Sequence, residues 1–125
     1  MCNVVSAFKS WLDAYGQAWM NRNPEAATAL FTEGGTYQVT PFLDPMRGRK
    51  AIFEYWSDVA RTEEEIRFGY EILVENGQLN IARWTASFII VPQGLVTRLD
   101  GIFLISLDGE GLCRSLQEWW HKEQK

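Results

Sequence analysis

At 125 residues the chain has the length of one compact domain, spanning 1–125, with room for one sizeable core. Hydrophobic residues at 46% and charged residues at 22% exclude a disordered or fibrous chain. A net charge of −4, with no lysine- or arginine-rich stripe, argues against nucleic-acid binding. The first predicted element is an amphipathic helix, because Val4, Val5, Phe8, Trp11, Leu12, Tyr15, Ala18 and Trp19 recur at steps of three and four. Asn21-Arg22-Asn23-Pro24 ends it and starts a second, short helix reaching Leu30 and Phe31, with Asn23 as N-cap and Pro24 in the first helical position. Gly34-Gly35 reads as a turn, Thr36 to Thr40 as a short strand, and Pro41 to Arg47 as a loop. A third helix follows Gly48, with Ala51, Ile52, Tyr55, Trp56 and Val59 on its apolar face, and the charged run Arg61 to Glu65 reads as solvated.

From Ile66 the hydrophobic period changes from 3.6 to 2. Ile66, Phe68, Tyr70, Ile72 and Val74 alternate, Asn76-Gly77 signals a hairpin, and Leu79 to Val91 continues as a strand. After the turn Pro92-Gln93-Gly94, strand Val96 to Asp108 leads through Gly109-Glu110-Gly111 to a last strand from Leu112 to about His121. Helices on one face of an antiparallel sheet make an α+β domain, and a strongly curved sheet around three helices would enclose a cavity.

No apolar run approaches the roughly 18 residues that cross a bilayer. The start, MCNVVSAFKSWLDAYGQAW, reads as a helix and not as a signal peptide, so a cytoplasmic location without membrane contact is expected. Cys2 and Cys113 belong to no metal-ligand spacing and read as reduced thiols. With His121 as the one histidine, a metal site lacks its usual ligands, and no cofactor is expected.

The segments Y-x-x-A-W, N-P-E-A-A-T-A-L-F, P-F followed by G-R-K-A-I-F-E-Y-W, L-D-G-I-F-L-I and S-L-Q-E-W-W occur in the order and spacing of a known family. In these the chain resembles the NTF2-like superfamily, of cystatin-like fold, and in particular its SnoaL-like branch of ketosteroid isomerase and polyketide cyclase relatives. The resemblance covers nearly the whole chain. It implies a cone-shaped α+β fold and a homodimer through the outer sheet face. It also implies that Tyr15 and Asp100 match the isomerase tyrosine and protonated aspartate that donate to an oxyanion. The isomerase base falls at Val39 or Thr40, neither of which takes a proton at neutral pH. Of the Asp-Arg-Asp set typical of epoxide hydrolases, only Asp100 and Arg98 are present.

Strand parity completes the expected pocket. Asn80, Ala82, Trp84, Ala86, Phe88 and Ile90 form the better inner face of their strand, since the opposite parity carries more polar groups. Arg98, Asp100, Ile102 and Leu104 share a face of the next strand. If Asp108 pairs with Leu112 and no bulge intervenes, Ile102 lies opposite Glu118 and Asp100 opposite Trp120. Asp100 then faces Trp84, Phe88 and Trp120, where lost hydration would raise its pKa. Arg98, Asp100 and Glu118 serve either as ligand contacts or as a buried ion network that satisfies the wall. Tyr15 and Trp19 are equally plain core residues, and Tyr37, Phe42 and Trp56 close the mouth or simply pack. Leu99, Phe103, Ile105 and Leu107 would point outward, too apolar for water, so a second copy should cover them.

The expected function is a pocket protein that binds or transforms a small, largely apolar organic ligand. Asp100, Tyr15 and Glu118 are the candidate catalytic groups; Trp19, Tyr37, Thr40, Phe42, Trp56, Trp84, Phe88, Arg98, Ile102 and Trp120 are the candidate ligand contacts. The alternative is a non-catalytic ligand-binding or protein-interaction module.

Overall fold

The computed structural model describes residues 6–125; Cys2, Val4 and Val5 lie outside the described residues. Helix α1 (Ala7–Met20) starts at Ser6, whose hydroxyl accepts from the Lys9 backbone N–H at 3.0 Å. It buries Phe8, Trp11, Leu12, Tyr15 and Trp19, the stripe that the spacing predicts. Asn23 caps α2 (Pro24–Thr28) by accepting from Ala26 N–H at 3.1 Å, with Pro24 where its missing N–H costs no hydrogen bond. Helix α3 (Arg49–Thr62) buries Ile52, Trp56 and Val59.

The strands are β1 (Phe31–Gln38), β2 (Met46–Arg47), β3 (Glu63–Asn76), β4 (Leu79–Ile90), β5 (Leu95–Leu107) and β6 (Cys113–Gln124), and they form one sheet in the order β2-β1-β6-β5-β4-β3. Only β1 and β6 pair in parallel. The three helices pack on one face of this mainly antiparallel sheet, and their apolar residues merge with Trp84, Phe103, Ile105 and Leu116 in one core. The architecture is the expected α+β cone of the NTF2-like type. No helix of the described residues is long and apolar enough to cross a membrane.

Local readings change where the strand register shifts or a loop joins the sheet. Gly34-Gly35 is not a turn: β1 runs through both, with a register shift against β6 between Phe31 and Thr36. A Cβ on Gly35 would lie 3.1 Å from the Cys113 carbonyl oxygen, so a side chain there would press on the neighbouring strand. Met46 and Arg47, read as loop, pair with Tyr37 and Thr36 as the edge strand β2.

The larger correction concerns β5. Leu107 pairs with Cys113 but Ser106 with Ser115, which leaves Arg114 as an extra residue and shifts every later pair by one. Phe103, not Ile102, therefore faces Glu118, and Gly101, not Asp100, faces Trp120. A one-residue slip turns all side chains of a strand to the other face. Thr97, Phe103, Ile105 and Leu107 are buried and Leu99 half-buried, whereas Arg98 and Asp100 are exposed. Burying the apolar set avoids taking two charged groups out of water. Leu99, Phe103, Ile105 and Leu107 thus belong to the inner face, and the exposed apolar stripe inferred from them does not exist.

Candidate functional site

Two carboxyl groups reach the apolar interior. Glu118 on β6 is only 6% exposed. Its Oε1 accepts from the Tyr37 hydroxyl at 2.7 Å, and the Tyr37 and Tyr15 hydroxyls lie 3.0 Å apart. Because Tyr37 spends its one proton on Glu118, its oxygen must accept from Tyr15, which orders the chain Tyr15 to Tyr37 to Glu118. Burial pushes the Glu118 carboxyl up to about 8, only partly opposed by the Tyr37 donation. The Tyr15 and Tyr37 hydroxyls are driven well above their ordinary value by burial and then by the neighbouring Glu118 charge, so both remain protonated.

Glu63, at the start of β3, enters from the opposite side. Its Oε1 accepts from Trp19 Nε1 at 2.8 Å, and burial pushes its carboxyl up to about 7 against that donation. A bulge aims it. Glu64 pairs with Ile89 but Arg67 with Ser87, one residue out of step, and Glu65 has φ 52°. A positive φ at a non-glycine residue is costly and marks a position that the surrounding structure imposes. Without the extra residue Glu63 would alternate away from Ile66 and Phe68. With it, Glu63 lies opposite Ile90 on the inner face. The charged run Arg61 to Glu65, read as solvated, therefore contributes a pocket residue that alternation alone could not identify.

Both carboxyls border one cavity of about 100 Å³, walled by Trp19, Tyr37, Tyr55, Trp56, Trp84 and Trp120, with Val39, Val59 and Leu99 filling the gaps. The indole N–H groups of Trp56 and Trp84 are buried without a hydrogen-bond partner among the described residues. Burial raises the Tyr55 hydroxyl far above its ordinary value. Of the expected contacts, Trp19, Tyr37, Trp56, Trp84 and Trp120 are brought together here, with Glu118 from the expected catalytic groups. Tyr15, 1% exposed, stands behind Tyr37 and does not reach the cavity. Phe88 is buried against Trp19, with ring centroids 6.0 Å apart.

The remaining expected residues lie elsewhere. Asp100 is on the outer face, where Arg83 donates to its two carboxylate oxygens at 3.1 and 2.5 Å. The Arg83 hydrogen bonds hold the Asp100 carboxyl below its usual range, opposite to the expected rise. Arg98 pairs with Glu123 at 3.2 Å, so no network joins Arg98, Asp100 and Glu118. Thr40, Phe42 and Ile102 border an open groove of about 920 Å³ that also touches Asp100 and shares Val39, Glu118 and Trp120 with the cavity, and Phe42 is 92% exposed. Trp120 stands between groove and cavity, and its indole N–H donates to the Val39 carbonyl at 2.6 Å. Among the described residues no group of three or more His, Cys, Asp or Glu side chains is placed to hold a metal ion.

The family model of the SnoaL-like domain matches residues 12–115. No curated protein matches the sequence. Among solved structures, RV0760c from Mycobacterium tuberculosis superposes with a TM-score of 0.87 at 10% identity, over 99% of this chain and all of that one (100%). The Δ5-3-ketosteroid isomerase from Mycobacterium sp. gives 0.83 at 16% identity, covering 97% and 100%. SalBIII, an epoxide hydrolase/cyclase-like enzyme with a role in pyran ring formation in the polyether salinomycin, gives 0.79 at 19%, covering 90% and 89%. At these identities the structural likeness speaks for the fold alone.

Proposed function

Since the chain belongs to the SnoaL-like family, we propose that it binds a small organic molecule with a largely apolar surface in the aromatic cavity, with Glu118 as the polar pole. The family and fold support a ligand-binding or isomerase/cyclase-type protein. The observation that carries the proposal is Glu118 itself. One of its oxygens is fixed by Tyr37, and the other has no hydrogen-bond partner among the described residues, in a cavity walled by aromatic rings. A carboxyl with its acidity lowered to near neutrality can give or take a proton at physiological pH. If the ligand is turned over, Glu118 is the acid or base, and Tyr37, backed by Tyr15, orients it.

The test is thermal shift against compact ketones, alcohols and amines, followed by titration of the hits. Ligands that stabilise the wild type should lose their effect in Glu118→Gln and keep it in Asp100→Asn. Hits untouched by Glu118→Gln, or abolished by Asp100→Asn, would move the site to the outer face.

Binding without turnover is favoured by one observation. Of Val39 and Thr40, the two positions where the resemblance puts the isomerase base, the first is an aliphatic part of the cavity wall and the second a hydroxyl residue on the groove, and neither takes a proton at neutral pH. A homodimer through the outer face is also part of the reading. Cross-strand rows there set Val74, Ile81 and Leu104 side by side, next to Ile102 and Trp119. Trp119, 45% exposed, stands at the end of its row, and Trp119→Glu should convert a dimer to a monomer by analytical ultracentrifugation. A wild type that sediments as a monomer would end this part of the proposal.

A further inference from the structure

The cavity's dimensions and walls say more about the ligand than its polar pole does. A volume of about 100 Å³ is worth roughly three waters of liquid and lies below the ~300–1,000 Å³ of pockets that hold drug-sized ligands. The occupant is compact. The rings around it meet at steep angles, as the sides of a box do: Trp19 and Trp56 at 73°, Tyr55 and Trp56 at 90°, Tyr37 and Tyr55 at 49°. The ionisable lining is one-sided as well. Glu63 and Glu118 border the space, and no Lys, Arg or His side chain does. In each carboxyl Oε1 is engaged, by Trp19 or by Tyr37, and Oε2 has no partner among the described residues.

We infer that the ligand of this cavity is a compact alkylammonium cation, its methyl groups against the indole and phenol rings and its charge balanced by Glu118 and Glu63. The inference rests on the cavity being the ligand site, as proposed above. Aromatic faces attract cations through the negative face of the ring, and the attraction is stronger where water is excluded. A buried charge needs a counter-charge, which two carboxyls supply to a cation and deny to an anion. A neutral ligand can hydrogen-bond to these oxygens but brings no charge to balance a carboxylate. Burial has pushed the Glu63 and Glu118 carboxyls up to about 7 and 8, so near neutral pH Glu118 is mainly protonated and Glu63 about half so. A bound cation reverses that preference, so binding expels protons. The other titratable groups at the site, Tyr15, Tyr37 and Tyr55, are all raised and remain neutral throughout.

An isosteric pair tests this. Isothermal titration at pH 7 compares tert-butylammonium with tert-butanol, each in two buffers of different ionisation heat. The cation should bind at least tenfold more tightly than the alcohol, with net release of protons to the buffer. Tetramethylammonium, which has no N–H, should also bind through the rings. Glu118→Gln mimics the protonated side chain, so the protein should fold, and the tenfold preference should collapse towards unity; Glu63→Gln should reduce it less. Alcohol bound as tightly as the cation, a preference untouched by both variants, or cation binding without proton release overturns the inference. If the alcohol binds and the cation does not, the cavity reading stands and the ligand class falls. If neither binds, both fall.

Discussion

Asp100 on β5 and Glu118 on β6 are carboxyl groups on hydrogen-bonded neighbouring strands, yet their environments move them in opposite directions. Asp100 stands in solvent with Arg83 across its two oxygens, which favours the carboxylate. Glu118 is buried among aromatic rings with one phenol donor, and the cost of burying its charge exceeds what that donor returns. Proximity in sequence and topology therefore says little about a carboxyl's chemistry. The face of the sheet decides it.

The largest expected effect tests the buried member. Below pH 4.5 Glu118 is protonated in both the folded and the unfolded chain. As pH rises from 4.5 the unfolded chain releases its proton while the folded one retains it up to about 8, so stability falls across that window and levels off above it. At ~1.4 kcal/mol for each pH unit the loss is on the order of 5 kcal/mol, and Glu63, pushed up to about 7, adds in the same direction. Urea unfolding from pH 4.5 to 9 should show this decline in the wild type and a much flatter curve in Glu118→Gln. An unchanged slope would mean that Glu118 is hydrated.

Gly101 is the hinge between the two environments, next to Asp100 in sequence and opposite Trp120 in the sheet. A Cβ there would overlap the Trp119 carbonyl oxygen and sit 2.7 Å from the Trp120 Cβ. Gly101→Ala must therefore push the β6 backbone away and displace the Trp120 wall of the cavity. A loss of about 2–3 kcal/mol is expected, the upper part of the range for overpacking. A fall in urea midpoint at constant slope checks it.

The hydrogen-bond chain gives the next step down. Tyr37→Phe leaves both Glu118 Oε1 and the Tyr15 hydroxyl without partners in the interior and should cost roughly 1–3 kcal/mol. It should also shift the Glu118 titration to higher pH, because the Tyr37 donation is what lowers it. Tyr15→Phe removes only the outermost donor and should cost about 1 kcal/mol. If the order were reversed, the proton would run the other way along the chain.

The sequence made the elements legible because helix stripes and strand alternation are direct consequences of burial on one face. Trp19, Trp56, Trp84 and Trp120, expected as ligand contacts, line the cavity for the same reason. What could not be read was the phase of the alternation beyond a bulge. Arg114 and Glu65 are ordinary residues in sequence, but each occupies an extra position. The first sends Asp100 outward, and the second lies between Glu63 and the alternating run that it joins on the inner face. One signal was available for β5: its other parity, Leu99, Phe103, Ile105 and Leu107, is the more apolar, and it is the one the core takes. For Glu63 the corresponding hint is the Trp19 indole, a buried donor that needs an acceptor.

The smallest effect is expected at Asp100, and it is the sharpest test of the contrast with Glu118. In Asp100→Asn, water takes over most of the contacts that Arg83 loses, so the unfolding midpoint at pH 7 should fall only slightly below wild type. The acid limb should change. A carboxyl held below its usual range stabilises the fold above its unfolded value of 3.8, and that contribution disappears as pH falls through the lower folded value. Asp100→Asn should therefore flatten the curve only below about pH 4, where Glu118→Gln has no effect, and leave cavity binding unchanged. The two variants act at opposite ends of one pH profile because one side chain meets water and the other meets rings. Loss of ligand binding in Asp100→Asn would show that the outer face, with its Arg83 pair, carries the chemistry assigned here to the interior.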